Sequence, residues 1–425
     1  MEEKNRKINI KIFPLYKMIS WDLLFYYSTI FLFLTQVKDI TASQFFLSEA
    51  FYTVSKFVSQ VPITILVDKL GKRNSLITGN ILITMGMFMI LTLVNFNSLL
   101  LAQLLWALGY TIKGIVESNI LYDSLPEGKK RGPIFSKIDG KASSYYYYVD
   151  AITAFSAGFL YVINPYIPII CSLLLCIISS VLSFRFKEIK KDEIKKEKNR
   201  NSVKDSIKQL KYSVRYIFKS KRLSLLIIFF GIFSGVLSIC GSLRGSLLTD
   251  LKVPEQYFGV IVAMMQLASG IGSKNQEKIQ NRFKNRTLAL LSIPTTVTCI
   301  LIGFMSNSLL PIKAVIIFVV IMLLIQSTIK GPFYILMDRY LKNFTDSNMR
   351  TRIDSIKNFL GSVSSTLMNL IISFLLSITN TANAYIIIGS ICTVTMVLLL
   401  DYMRGKVGLK AEEYKKSEIN FVEIK

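Results

Sequence analysis

Long apolar stretches separated by short polar segments run along almost the whole chain. Each is about 20 residues or longer, the length that an α-helix needs to cross ~30 Å of hydrocarbon. The pattern therefore predicts an all-α polytopic membrane protein with twelve spans. The predicted spans are residues 13–35, 41–67, 74–94, 98–122, 142–163, 165–185, 223–249, 254–273, 287–306, 312–337, 357–378 and 382–402.

The basic residues are unevenly distributed between the connections of these spans. With the N-terminus placed inside, the inner segments contain nearly all of the 51 lysines and arginines. The outer loops contain only Lys38, Lys252 and Lys313. Such an excess is typical of the cytoplasmic side of membrane proteins. We therefore expect an even number of crossings with both termini in the cytoplasm. The composition, rich in lysine, isoleucine and asparagine, is typical of a low-GC bacterium, so we expect a bacterial plasma membrane.

Composition agrees with this class. Hydrophobic residues make up 52% of the chain, and the mean hydropathy is +0.46. The net charge of +24 follows from the membrane topology. It predicts contacts with anionic lipid and no nucleic-acid partner. The charged residues 1–12 contain no cleavage-site pattern, so we interpret them as a cytoplasmic tail and not a signal peptide.

The chemistry-bearing residues exclude several functions. The chain has no histidine, and its five cysteines lie in apolar spans without metal-ligand spacing. No nucleotide-binding GxxxxGK[ST] loop and no nucleophile–histidine pair can be found, so we expect neither an enzyme nor a bound cofactor or metal. Because histidine is missing, any proton transfer must use carboxylates.

A charged segment, residues 186–222, divides the spans into two groups of six. We predict an N-terminal bundle at 13–185, a C-terminal bundle at 223–402 and a cytoplasmic tail at 403–425. The later part of the central segment has apolar residues near helical spacing. It is either an amphipathic helix lying along the membrane or a solvated linker.

The two halves share short motifs in the same order and at a nearly constant offset. Parallel repeats of this kind are typical of transporters. The matching segments are 68–74 with 281–287, 111–114 with 328–331, and 137–139 with 352–354.

The loop between spans 2 and 3, DKLGKR, resembles the signature loop of the major facilitator superfamily, G-x-x-x-D-[RK]-x-G-[RK]-[RK]. Thr64 replaces its upstream glycine. The resemblance implies two pseudo-symmetric six-helix bundles working by alternating access, with spans 1, 4, 7 and 10 lining a cavity. It also implies that the loop helps to close an inner gate; a basic turn that serves only topology is the alternative. The gate residues are Asp68, Lys69, Gly71, Lys72 and Arg73.

Several charged residues lie within the predicted spans. Inserting one at a helix centre costs ~2.5–3.5 kcal/mol, so such residues usually face a protein interior or an aqueous cavity. We interpret them as candidate substrate or proton sites. They are Asp22, Glu49, Lys56, Lys113, Glu117, Asp150, Arg244 and Lys330.

Some of these charges have local partners. Lys113 and Glu117 are spaced i,i+4 on one helical face, and Glu49 and Lys56 lie two turns apart. Each pair is either a structural ion pair or part of the working site. Arg244 could alternatively extend to the membrane surface. Gly331 and Pro332 predict a kink or hinge beside Lys330.

We therefore expect a monomeric secondary transporter that exchanges protons for a small-molecule substrate, most simply by efflux of a drug or metabolite. Proton-coupled uptake of a small zwitterionic solute is the second interpretation. A non-transporting membrane sensor or scaffold on the same fold is the third.

Overall fold

A computed structural model describes residues 2–126, 131–189, 221–283, 286–343 and 350–407. Within these ranges the regular structure is helical and contains no β-strand. The helices are α1 (Glu2–Ser20), α2 (Tyr26–Leu32), a π-helical segment (Phe33–Val37), α3 (Ala42–Leu70), α4 (Lys72–Leu91), α5 (Phe96–Ser124), α6 (Arg131–Ile163), α7 (Tyr166–Phe184), α8 (Lys221–Asp250), α9 (Gln256–Lys274), α10 (Gln276–Phe283), α11 (Thr287–Ser306), α12 (Ile312–Asn343), α13 (Arg350–Ile378) and α14 (Thr381–Val407).

Each predicted span falls on helical structure, and nine of the described helices are long and apolar enough to cross a membrane. Span 13–35 is divided between helices, and spans 41–67 and 254–273 lie on α3 and α9. Helix α3 contains four charged residues, α9 contains two glutamines and ends at Lys274, and neither is among the nine. The first span was predicted as one helix, and the structure corrects this.

The break in the first span lies at residues 21–25, between α1 and α2. The Asp22 carboxylate accepts a hydrogen bond from the Leu23 backbone N–H at 3.0 Å. A short acidic side chain that binds a neighbouring N–H competes with helical hydrogen bonding. Phe25 then adopts a positive φ of 64°, which is strained for a bulky residue. The first span therefore places Asp22 on irregular backbone.

Two compact units make up the described chain. The first contains α1 to α7 together with Pro254–Ala263, and the second contains α8 and the helices that follow Met264. In the first unit α4 packs tightly on α5, since a Cβ added at Gly109 would lie 2.8 Å from the Gly79 carbonyl oxygen. Small residues permit such close helix contacts in membranes.

The structure describes the N-terminal segment almost completely, but only parts of the predicted linker and C-terminal tail. The segment 1–12 is helical from Glu2, and Asn9 is fully buried. The Asn9 amide donates to Ser124 Oγ and to the Lys187 carbonyl, each at 2.9 Å. Residues 190–220 of the linker and the tail beyond Val407 lie outside the described residues.

Candidate functional site

Asp22 lies at the centre of the charged cluster of the first unit. Its carboxylate accepts a hydrogen bond from the Tyr110 hydroxyl at 3.4 Å, in addition to the bond from Leu23. Lys56 and Lys113 are its cationic neighbours. The break between α1 and α2 thus brings an acid from irregular backbone to a side chain of α5.

Glu49 binds a side chain that the sequence did not indicate. Its Oε1 accepts a hydrogen bond from Gln103 Nε2 at 3.1 Å, which links α3 to α5. Lys56 is exposed and lies with its Nζ 5.8 Å from the centroid of the Tyr52 ring. Glu49 and Lys56 therefore do not form the ion pair that their spacing allowed.

Lys113 and Glu117 do form an ion pair, with 3.8 Å between Nζ and Oε2. Their side chains are only 3% and 11% exposed. Neither Lys113 Nζ nor Glu117 Oε1 has a hydrogen-bond partner among the described residues. The ammonium instead lies over the rings of Tyr16 and Tyr110, 5.5 and 5.7 Å from their centroids. The pair is close but not locked, which leaves both groups able to bind another partner.

Asp150 is half-buried in α6. Tyr146, one turn earlier, is an electrostatic neighbour of both Asp150 and Asp22. The Tyr146 ring also contacts Trp21 with 4.8 Å between ring centroids. Tyr146 therefore lies near both carboxylates and beside the break that carries Asp22.

The second unit contains the other two predicted charges. Arg244 lies in α8, and its Nη1 is 3.7 Å from the Met265 sulfur in α9. Lys330 lies in α12 and is exposed in the structure. Arg244 is nevertheless an electrostatic neighbour of Lys330, so the two cations lie in one region of the unit.

The predicted gate loop makes a dense set of polar contacts. Gly71 has φ of 80°, a value that favours glycine, and it ends α3. The Glu188 carboxylate then accepts hydrogen bonds from the backbone N–H groups of Lys72 and Arg73, at 3.1 and 2.7 Å. A carboxylate at this position satisfies free donors at the start of α4 and complements the helix dipole.

The basic side chains of the loop also bind the first unit. Lys72 pairs with Asp123 at the end of α5. The Arg73 guanidinium donates to the carbonyls of Phe186 and Phe184, at 2.7 and 3.1 Å. Lys69 is exposed, and the side chain of Asp68 lies outside the described residues. The loop therefore joins the ends of α3, α4, α5 and α7.

The predicted hinge lies in a helix that continues through it. Pro332 is inside α12, which runs from Ile312 to Asn343. A Cβ added at Gly331 would clash with the Ser269 backbone and the Ser273 side chain of α9. The glycine permits close packing here, and its role as a hinge stays a prediction.

Sequence reasoning missed the polar side chains that surround these charges. Gln103 binds Glu49, the Tyr110 hydroxyl binds Asp22, and the rings of Tyr16 and Tyr110 lie beside the Lys113 ammonium. Tyr110 lies three residues before Lys113, so helical spacing could have indicated the contact between these two residues. The contacts of Gln103 and Tyr16 bridge distant parts of the chain and leave no local signal. No cluster of three potential metal ligands occurs among the described residues.

Known proteins share this architecture. The family model of the Major Facilitator Superfamily matches residues 17–343. A crystal structure of the nucleoside transporter NupG superposes with a TM-score of 0.70 at 12% identity, covering 96% of this chain and 100% of that one. A POT family transporter in complex with 5-aminolevulinic acid gives a TM-score of 0.63 at 14% identity, covering 94% of each chain.

A bacterial homologue of the lysosomal transporter Spinster, in an inward-facing and unoccupied conformation, is also similar. Its TM-score is 0.61 at 12% identity, and 98% of this chain and 99% of that chain are covered. At such low identities the likeness shows the fold alone. No curated protein matches the sequence closely enough to count as a relative.

Proposed function

Because the chain belongs to the Major Facilitator Superfamily of membrane transporters, we propose that it is a secondary active transporter that moves a small molecule by alternating access and couples this movement to protons. The observation that carries the proposal is the Asp22 site. A carboxylate on irregular backbone, bonded to Tyr110 and near two lysines, is a group whose protonation can alter its contacts. The chain contains no histidine that could replace it.

Export of a drug or metabolite in exchange for protons is our first choice of direction. Tyrosine side chains surround Asp22, which suits an amphiphilic organic solute. These electrostatic neighbours are Tyr26, Tyr27, Tyr52, Tyr110 and Tyr146.

Proton-coupled uptake of a zwitterionic solute is the second candidate. It is favoured by the distribution of charge, since carboxylates lie in the first unit while Arg244 and Lys330 lie in the second. The solved structures of similar fold include a nucleoside transporter and a transporter with bound 5-aminolevulinic acid. A panel of substrates should therefore include nucleosides, short peptides and amino acids as well as amphiphilic drugs.

The direction of coupling can be tested in proteoliposomes that contain a pH-sensitive dye. Each solute is added outside, and the pH of the lumen is recorded. Solute entry by exchange removes protons from the lumen and raises its pH, whereas entry together with protons lowers it. The sign does not depend on how the protein is oriented in the vesicle. A panel that produces neither solute flux nor a pH change, with liposomes lacking protein as the control, would favour the sensor or scaffold.

We also propose that both termini face the cytoplasm of a bacterial cell, as the distribution of basic residues predicts. Single cysteines in a cysteine-free background can be labelled with a membrane-impermeant maleimide. Labelling from outside is expected for Asn97→Cys, Asn164→Cys and Asn380→Cys, and protection for Asn74→Cys and Asn199→Cys. Reversed accessibility at two of these positions would contradict the topology.

A further inference from the structure

Two cations of the second unit, Arg244 and Lys330, form no ion pair with a described side chain. Among the described residues of this unit the carboxylates lie close to helix ends or in the short helix α10. Those with described side chains are Asp250, Glu277 and Asp401, whereas the side chains of Asp338 and Asp354 lie outside the described residues. No carboxylate with a described side chain pairs with Arg244 or Lys330, and Arg244 contacts only a weak acceptor among these side chains, the Met265 sulfur at 3.7 Å. Since an unpaired charge at membrane depth is costly, the half-buried Arg244 needs an anion from elsewhere, while the ammonium of Lys330 is exposed and open to a ligand.

The two cations lie on helices that are linked by close packing. Arg244 of α8 contacts Met265 of α9, and α9 packs against α12 at Gly331, the residue after Lys330. Ser246 Oγ of α8 lies 2.6 Å from Thr381 Oγ1 of α14, one turn before Tyr385. Arg244 is also an electrostatic neighbour of both Lys330 and Tyr385, so the three groups lie in one region of the unit.

Tyr385 provides an independent sign of a missing ligand. Its side chain is 1% exposed, and its hydroxyl has no hydrogen-bond partner among the described residues. A buried hydroxyl without a partner costs free energy. It lies beside Arg244, where it could donate to the same anion as the guanidinium.

Cations in the spans of the first unit, in contrast, have an acidic neighbour. Lys113 has Glu117 at 3.8 Å and two aromatic rings beneath its ammonium. Lys17 pairs with Asp139 at 2.6 Å. Arg244 and Lys330 have no such partners, so their charge is available to a ligand.

We propose that Arg244, Lys330 and Tyr385 form a subsite for the anionic group of the transported solute, such as a carboxylate or phosphate. The guanidinium offers two parallel N–H donors to such a group, the ammonium adds a point charge and the phenol adds a third donor. The proposal rests on the proposed function, and it restricts the substrate to solutes that carry a negative charge.

The test uses thermal unfolding of the full chain in detergent at constant ionic strength. The probes are sodium benzoate and inorganic phosphate, with benzamide as a neutral molecule of the same size as benzoate. At least one anion should raise the melting temperature of the wild type in a saturable manner, because a ligand stabilises the state that it binds. Benzamide should give no such rise.

The variants identify the site of binding. Arg244→Gln and Lys330→Gln should each weaken the binding of that anion by about tenfold or more, as expected for the loss of a charged donor. If Arg244→Gln fails to fold, Arg244→Lys can be used instead. This variant keeps the charge and should weaken binding less. Tyr385→Phe should weaken it by a few-fold. Lys313→Gln, which removes an exposed cation from the same helix as Lys330, is the matched control and should bind as the wild type does.

Three results would overturn the proposal. The first is that neither anion stabilises the wild type more than chloride does. The second is that stabilisation by the anion survives in Arg244→Gln and Lys330→Gln. The third is that phosphatidylglycerol added to the micelles is the only anion that stabilises the protein, in which case the ligand is a lipid headgroup. This test measures binding and does not require transport. If the subsite binds the anion but the protein transports no solute, the proposed function is contradicted and the subsite is not.

Discussion

The two units differ in the partners of the charged residues that lie within their spans. In the first, acids and bases occur together: Lys113 has Glu117 within 3.8 Å, and Glu49 binds Gln103 at 3.1 Å. In the second, Arg244 and Lys330 lie near each other without a described carboxylate. A charge that has an internal partner can change that partner during a cycle, whereas one without a partner depends on a ligand. The first unit is therefore suited to proton coupling and the second to binding the solute.

The loop that follows the second predicted span of each half also differs in its charged residues between the two units. In the first unit Glu188 accepts from the start of α4, and Lys72 pairs with Asp123. In the corresponding segment 281–287, Asn281 replaces the aspartate and Lys284 the glycine. The charged contacts described for this loop thus lie in the first unit, as do Asp22, Glu49 and Glu117.

The largest effect is expected from Asp22→Asn, which keeps the shape of the side chain and removes its charge. If the first unit carries the proton, accumulation driven by a pH gradient should be abolished while exchange of solute down its own gradient survives. Uptake into proteoliposomes with and without the gradient measures both. Asp39→Asn makes the same change at an exposed position and should leave both unchanged. Full gradient-driven accumulation in Asp22→Asn would remove Asp22 as the carrier.

The pair Lys113–Glu117 should show the next largest effect. Breaking a buried ion pair by removing one partner typically costs ~3–5 kcal/mol, whereas replacing both can be nearly neutral. Lys113→Met and Glu117→Gln should each lower thermal stability, and the double variant should recover stability without recovering transport. Glu3→Gln with Lys7→Met tests an exposed pair of the same spacing and should change neither property. A stable double variant with normal flux would reduce the pair to a structural role.

Glu188→Gln should have a smaller effect. The variant loses the carboxylate that accepts from Lys72 and Arg73, and caps of this kind contribute ~0.5–2 kcal/mol. The unfolding temperature should fall, and the balance between inward- and outward-facing states should shift if the loop acts as a gate. Glu277→Gln, in the first turn of α10, removes a charge that complements a helix dipole without these hydrogen bonds, so it should cost less. Equal losses in both variants would contradict a special role for Glu188.

Local patterns predicted much of this molecule, and long-range contacts could not be predicted. The apolar runs placed the helices that carry the predicted spans, but not the polar helix α10 or the start of α1 at Glu2. The i,i+4 spacing placed Lys113 beside Glu117. The helix break at residues 21–25 could not be predicted from the hydropathy pattern. It depends on Asp22 accepting a hydrogen bond from the Leu23 backbone N–H, and hydropathy carries no information on such contacts. The contact of Glu49 with Gln103 and that of Glu188 with α4 join residues far apart in sequence. Their positions follow from helix packing, which no single segment encodes.

The smallest effects concern two tyrosines, and they should differ in sign between the units. Tyr110→Phe removes a hydroxyl that donates to Asp22 at 3.4 Å and keeps the ring beneath Lys113. A long hydrogen bond of this kind contributes at most ~1 kcal/mol, so a slight loss of stability is expected. Tyr385→Phe removes a buried hydroxyl that has no described partner. Without ligand, that variant should be as stable as the wild type or slightly more stable, because no hydrogen bond is lost.

Thermal unfolding of the two phenylalanine variants, without and with the stabilising anion, therefore compares the units directly. The anion should stabilise Tyr110→Phe as much as the wild type and Tyr385→Phe less, since only Tyr385 lies beside the guanidinium of Arg244. Tyr110→Leu, which also removes the ring face that attracts the ammonium, should destabilise more than Tyr110→Phe. If Tyr385→Phe instead loses stability without ligand and keeps the full response to the anion, its hydroxyl has a structural partner. The second unit would then have no more unsatisfied groups than the first, and the division of labour between them would fail.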